Sequence, residues 1–261
     1  MDVQLHFFKL FTNQANAGNP AAAMLLSHWP EDAVLAGIAR SANQVVTAFA
    51  VQASEPGHYH IRWFSTQQEI NLCGHGTLAL AALIRQLKGE GTYQFVSPYG
   101  QLTVAAQADL LQMALPVFPN AAVSCLPDAF AELQVEACFQ TRDLILVLPN
   151  EHAVQQFQPD FSQLLQLEQH ALIVTALTEP NGYVLRYFAP KVGIDEDIAT
   201  GSAQCSLAPY WAARTGLTHF KVRQLSGVEA NFTVRIAENR VVLVTDAIYL
   251  AELTQRLSIS V

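Results

Sequence analysis

A thiol, an imidazole and a hydroxyl stand within five residues at Cys73-Gly74-His75-Gly76-Thr77, just ahead of an apolar run. His75 is a general acid or base by its ordinary pKa. Cys73, at a helix start, is a candidate thiolate base. Gly74 and Gly76 have no Cβ to keep a ligand from the unpaired N–H groups of that helix start, which favour an anion. A second set lies at Asp197, Thr200, Gly201 and Ser202, ahead of another apolar segment. Asp197 can carry a proton, and Thr200 and Ser202 can bind substrate or cap the helix. Glu69 is close enough in sequence to His75 to orient a substrate or the imidazole. Each has a plainer reading: Cys73 as a small buried hydrophobe, Asp197 as a complement to the helix dipole, Glu69 as a loop acid. A glycine-rich helix start is also often a tight turn that lets helix and strand pack.

Regular elements must hold these residues. Residues 4–12, 45–52 and 59–66 are rich in β-branched and aromatic side chains and read as strands. Residues 27–43 read as a helix, with Pro30 at its start and Val34, Ile38 and Ala42 on one face. The helix opened by Cys73 runs to Lys88 and stops at Gly89. Strands joined by tight turns follow over 92–116. The pattern resets near 117–124, so domains are expected at 1–117 and 118–261. The second half predicts a helix at 127–134, strands at 143–148, 171–177 and 183–190, and a helix from about Ser202. Pro209 is expected to kink or break that helix early, and Cys205 to be packing. Three more strands and a final helical turn close the chain.

One pattern occurs twice. Residues 61–66, IRWFST, lead to CGHGTLALAALIRQLKG; residues 185–190, LRYFAP, lead to TGSAQCSLAPYWAARTG. Each copy has Arg, two aromatics and a small residue, then a loop, a glycine, an apolar helix, a basic last turn and a closing Gly. This order predicts a duplicated domain, and two paired helix starts favour a functional anion site over simple turns.

The bulk composition narrows the classes. The chain has 261 residues, 51% hydrophobic and 14% charged, enough apolar material for a large core. A net charge of −8 argues against nucleic acid or an anionic membrane as the main partner. The N-terminal stretch lacks the pattern of a secretory signal, and no apolar run reaches membrane-spanning length. Cys73, Cys125, Cys138 and Cys205 lack metal-type spacing, so a reduced, cytoplasmic protein without disulfides is expected. His58 and His60 lack an evident third ligand, and no nucleotide-binding glycine motif is present, so no metal and no nucleotide cofactor is expected.

Three segments, LFTNQANAGNPAAAMLL, RWFSTQQEINLCGHGTLALAALI and APKVGIDEDIATGSAQCSLAPYWAARTG, together resemble the PhzF, or phenazine biosynthesis-like, family. The resemblance covers essentially the whole chain. It implies an α+β fold similar to diaminopimelate epimerase: two pseudo-symmetric domains, each a mostly antiparallel sheet around a central helix, with the site between them. It also implies a cofactor-free isomerase of a small carboxylic acid, often a homodimer. The family's His corresponds to His75, and its Asp and Ser to Asp197 and Ser202. Its catalytic Glu, in SETAF, is replaced by Val46 in VVTAF. Valine cannot carry a proton, so the family mechanism does not transfer intact. The usual Pro after the Asp is Ile198. Thr200 stands where epimerase-like relatives have a second cysteine, which disfavours a two-thiol racemase. His75, Asp197 or Cys73 must then supply the base, with Gly74, Gly76, Thr200, Gly201, Ser202, Glu69 and Val46 lining the substrate. The alternative is a non-catalytic homologue that binds a small anion.

Overall fold

The computed structural model describes residues 2–14, 16–123 and 130–259. They form two compact units, Met1–Ala114 with Val244–Val261, and Leu115–Leu243.

The first unit begins with β1 (Asp2–Leu10), β2 (Asn19–Leu26), α1 (Asp32–Ala42), β3 (Val46–Gln52), β4 (His58–Phe64) and β5 (Glu69–Ile70). Then come α2 (Gly74–Lys88), β6 (Gly91–Ser97), β7 (Gly100–Gln107) and β8 (Leu110–Pro116). Strand β2 pairs antiparallel with β1 and parallel with β3; β3 pairs antiparallel with β4; β4 pairs parallel with β6. Helix α2 packs against β1, β2, β3, β6 and β7, and every residue from Gly76 to Ile84 is buried. A helix that is apolar all round is a core helix, and the sheet curls about it. Helix α1 begins two residues after Pro30 and lays Leu35, Ile38, Ala39 and Ala42 on the other side, beside Leu5, Met24 and Phe49.

The second unit holds β9 (Ala121–Ala122), β10 (Ala137–Gln140), β11 (Leu144–Val147), α3 (Glu151–Gln156), α4 (Phe161–Leu164), β12 (Leu172–Thr178) and β13 (Gly182–Ala189). It continues with β14 (Ile194–Asp197), α5 (Gln204–Thr215), β15 (His219–Leu225) and β16 (Glu229–Ala237). The order of the first unit returns: β11 parallel to β12, β12 antiparallel to β13, β13 parallel to β15, with β14 and α5 in the crossover. β5 and α2 fill the corresponding crossover between β4 and β6. The echo read in the sequence is thus a repeat of topology. It extends to an ion pair. Arg62 on β4 grips Glu69 on β5 through Nε and Nη2 at 2.7 and 2.6 Å, and Arg186 on β13 grips Glu196 on β14 at 2.7 and 2.9 Å. Such fork-to-fork pairs fix direction as well as distance. Each therefore sets the course of the short strand that leads into a central helix.

Some expectations are corrected. The first unit is not a continuous segment. Strand β17 (Arg240–Tyr249) runs on to β18 (Gln255–Ser258), which pairs antiparallel with β1, Asp2 opposite Ser258. Residues 244–261, read with the second half, thus complete the first unit. Pro209 neither breaks nor ends α5, which continues to Thr215. The carbonyl that Pro209 leaves without its helical donor belongs to Cys205, and the Phe118 N–H donates to it at 2.9 Å. Helices α3 and α4 and strands β2, β5, β9, β10, β14 and β18 had not been expected. The helix expected at 127–134 falls partly outside the described residues, as does Cys125; residues 130–134 form a turn rather than an α-helix. Among the described residues no helix is long and apolar enough to cross a membrane.

Candidate active site

The first cluster lies at the start of α2. Cys73 precedes the helix in extended conformation, and its side chain does not cap it. Instead Cys73 Sγ lies 3.2 Å from His75 Nδ1. Thr77 locks this turn: its hydroxyl donates to the Cys73 carbonyl at 2.9 Å and accepts from Trp63 Nε1–H at 3.1 Å. Nε2 of His75 is buried and has no hydrogen-bond partner among the described residues. Burial pushes the His75 pKa down to about 4, so the ring is neutral at pH 7. A neutral imidazole has one N–H and one lone pair, and the contact to Cys73 decides where they sit. If the thiol donates to Nδ1, Nε2 carries the proton. If Nδ1–H points at sulfur, Nε2 is the base.

The two glycines differ. A Cβ on Gly74 would meet nothing closer than Met113 Sδ at 3.8 Å. A Cβ on Gly76 would come within 2.9 Å of Trp63 Cδ1 and 3.3 Å of Ala48 Cβ and Val46 Cγ1. Gly76 therefore answers to helix-against-sheet packing. Val46 is fully buried on β3 against that point of the helix. Glu69 is committed to Arg62, which also reaches Asp32 at 2.7 Å, and makes no bond to His75.

The second cluster gathers at the start of α5. Asp197 ends β14, opposite Tyr187 in β13. Thr200 Oγ1 donates to Asp197 Oδ2 at 2.6 Å. Gln224, fully buried on β15, clamps the connecting loop. Its amide nitrogen donates to the Asp197 carbonyl at 2.6 Å and to Thr200 Oγ1 at 3.2 Å, and its oxygen accepts the Thr200 N–H at 2.7 Å. Ser226 Oγ adds a bond to the same Asp197 carbonyl at 2.7 Å. Gly201 and Ser202 open a 3-10 turn that continues into α5. Cys205, one turn deeper, is buried, and burial pushes its thiol up to about 12, as suits a packing residue.

Sequence reading missed the other members of this cluster. Arg142 Nη2 reaches Ser202 Oγ at 3.4 Å and Tyr187 OH at 3.0 Å, and the same guanidinium grips Asp143 at 3.1 and 3.0 Å. Asp143 is buried, and burial with the charge of Asp143 raises the Tyr187 pKa, so that phenol stays neutral. The available signal was the Arg-Asp pair directly before the apolar strand LILV: charge at the threshold of a fully buried strand needs a reason.

The candidates thus fall into two clusters of like construction, one per unit, each at the N-terminal end of the central helix. The model of the phenazine biosynthesis-like protein family matches residues 8–245. The chain belongs to that family. It is 42% identical to an uncharacterized isomerase of Vibrio cholerae over 94% of this chain and 88% of that one. The crystal structure of a PhzF-family phenazine biosynthesis protein from Enterococcus faecalis superposes with a TM-score of 0.90 at 33% identity, covering 99% and 100% of the two chains. The PhzF-like fold reaches further, to a hydroxyproline epimerase from Agrobacterium vitis with a TM-score of 0.61 at 9% identity over 98% and 92% of the chains, a likeness of fold alone. The α+β, epimerase-like architecture expected from the sequence is what this PhzF-like chain has.

Proposed function

We propose that the protein is a cofactor-independent isomerase that moves a proton between carbons of a small carboxylic acid. The observation that carries this reading is His75. Its Nδ1 is engaged by Cys73, while its Nε2 is buried without a partner. A buried polar atom without a partner is costly unless a ligand completes it. In the tautomer with Nδ1–H directed at sulfur, the Nε2 lone pair takes a proton from a carbon next to the carboxylate. The C–H electron pair becomes an enolate, held by the N–H groups at the start of α2. The imidazolium returns that proton to another carbon. A bound carboxylate raises the pKa of His75, which tunes a base that is weak in the empty site. A homodimer in the cytoplasm is the setting we propose.

A second reading rests on Val46. Hydrocarbon fills the position of the family's base and packs against Gly76, and on this reading the site is retained only to bind an anion. Deuterium exchange separates the two. The protein is incubated in heavy water with cyclic and linear carboxylic acids, including a dihydro-hydroxyanthranilate, and each C–H is followed by NMR. Exchange by the natural protein that is lost in His75→Ala supports the isomerase. Exchange only after Val46→Glu supports the anion-binding homologue. Exchange unchanged in His75→Ala refutes the role of His75.

A further inference from the structure

We infer that Arg142 is the anchor for the substrate carboxylate, and that it selects a planar monoanion over a phosphate dianion. This rests on the proposed function for the class of substrate, while its geometry lies within the second unit alone. The loop that carries Arg142 is fastened on both sides. Thr141 Oγ1 meets Ser206 Oγ of α5 at 2.8 Å, and the Arg142 carbonyl accepts the His170 N–H at 3.0 Å. The side chain is fastened as well. Asp143 takes its Nε–Nη2 edge, and the Tyr187 hydroxyl accepts from Nη2.

The plain alternative is that Arg142 exists to neutralise Asp143. The geometry runs the other way. Asp143 is almost wholly buried, a costly position for a carboxylate, whereas the Arg142 side chain is 42% exposed. The buried acid fixes the direction of a cation that reaches outward. Of its five N–H groups, the two on Nη1 have no protein acceptor among the described residues. They sit on the guanidinium that reaches Ser202, at the start of α5, where backbone N–H groups also lack helical acceptors. A guanidinium edge, a serine hydroxyl and a helix start together match the two oxygens of a carboxylate. Asp143 already balances the guanidinium charge, and Asp197 adds an acid across from Tyr187. A second negative charge on the ligand would meet repulsion rather than a free cation.

The test titrates the whole protein with benzoate, benzamide and phenylphosphate, reading affinity and the Arg142 Nε–H signal by NMR. Three variants run alongside: Arg142→Lys, Arg142→Gln, and Arg142→Gln combined with Asp143→Asn, which avoids leaving a buried charge alone. Benzoate is expected to shift the Arg142 signal and to bind about tenfold or more weakly to the double variant, with Arg142→Lys between. Benzamide should not distinguish the proteins. Equal benzoate affinity in wild type and double variant, or no shift of Arg142 with benzoate, overturns the anchor. Tighter binding of phenylphosphate than benzoate overturns the selectivity. The deuterium experiment stays separate. An anchored benzoate without carbon exchange leaves the anchor standing and the isomerase reading fallen, whereas full exchange in the double variant does the reverse.

Discussion

Protonating His75 should cost stability, and the size of that cost follows from its surroundings. Burial lowers its pKa from 6.5 to about 4. The unfolded chain binds this proton as pH falls through 6.5, while the folded protein resists until pH 4. The stabilising contribution is therefore complete above pH 6.5 and is lost as pH drops from 6.5 to 4. At about 1.4 kcal/mol per tenfold change in proton affinity, the full loss is about 3 kcal/mol, most of it reached by pH 4.5. Urea unfolding of wild type and His75→Gln at pH 7 and pH 4.5 isolates it, because the other titrating groups cancel in the difference. Wild type should lose about 2.5 kcal/mol more than the variant. An NMR titration of the imidazole gives the pKa directly, and a bound carboxylate should raise it. A pKa near 6.5, or equal acid sensitivity of the two proteins, would refute the claim that the ring is held neutral by its site.

Other consequences are simpler to measure. Gly76→Ala should lower stability by about 1–3 kcal/mol in thermal or urea unfolding, because the new methyl meets Trp63, Ala48 and Val46; an unchanged or raised midpoint would show that the sheet yields. The two related Arg–Glu pairs should differ in worth. Arg186 is more buried than Arg62 and also donates to the carbonyls of Val154, Gln155 and Phe157, so Arg186→Met should cost about 3 kcal/mol and Arg62→Met about 1. Equal losses would argue against burial as the cause. Cys205 should resist a thiol reagent at pH 8 until the protein unfolds, as its burial and raised pKa require.

Local pattern carried much of this protein. The limits of α2, from Gly74 to Lys88 with Gly89 beyond, were legible because its apolar run, basic last turn and terminal glycine all lie within a few residues. So were most strands, since alternation and β-branching are local, and so was the repeat, since each copy keeps strand, loop and helix in order. The clusters around His75 and Asp197 were legible for the same reason: each is short in sequence. Helices α3 and α4 were not, being only 6 and 4 residues long and defined by the caps Asn150 and Asp160 rather than by a periodic face.

Tertiary structure decided what depends on partners distant in the chain. β18 has little apolar signature and exists because β1 offers it an edge some 250 residues away in sequence. Pro209 is tolerated because Phe118 serves the carbonyl it leaves open. Gly76 owes its lack of a side chain to Trp63 and Val46, Glu69 is committed to Arg62, and Arg142 and Gln224 join the Asp197 cluster from separate strands and loops. The sequence by itself determined the family, the repeated architecture and the two helix starts, because these are written in short-range order. Only the fold determined which neighbouring atoms claim each side chain, because hydrogen bonds and packing act across space and take no account of separation along the chain.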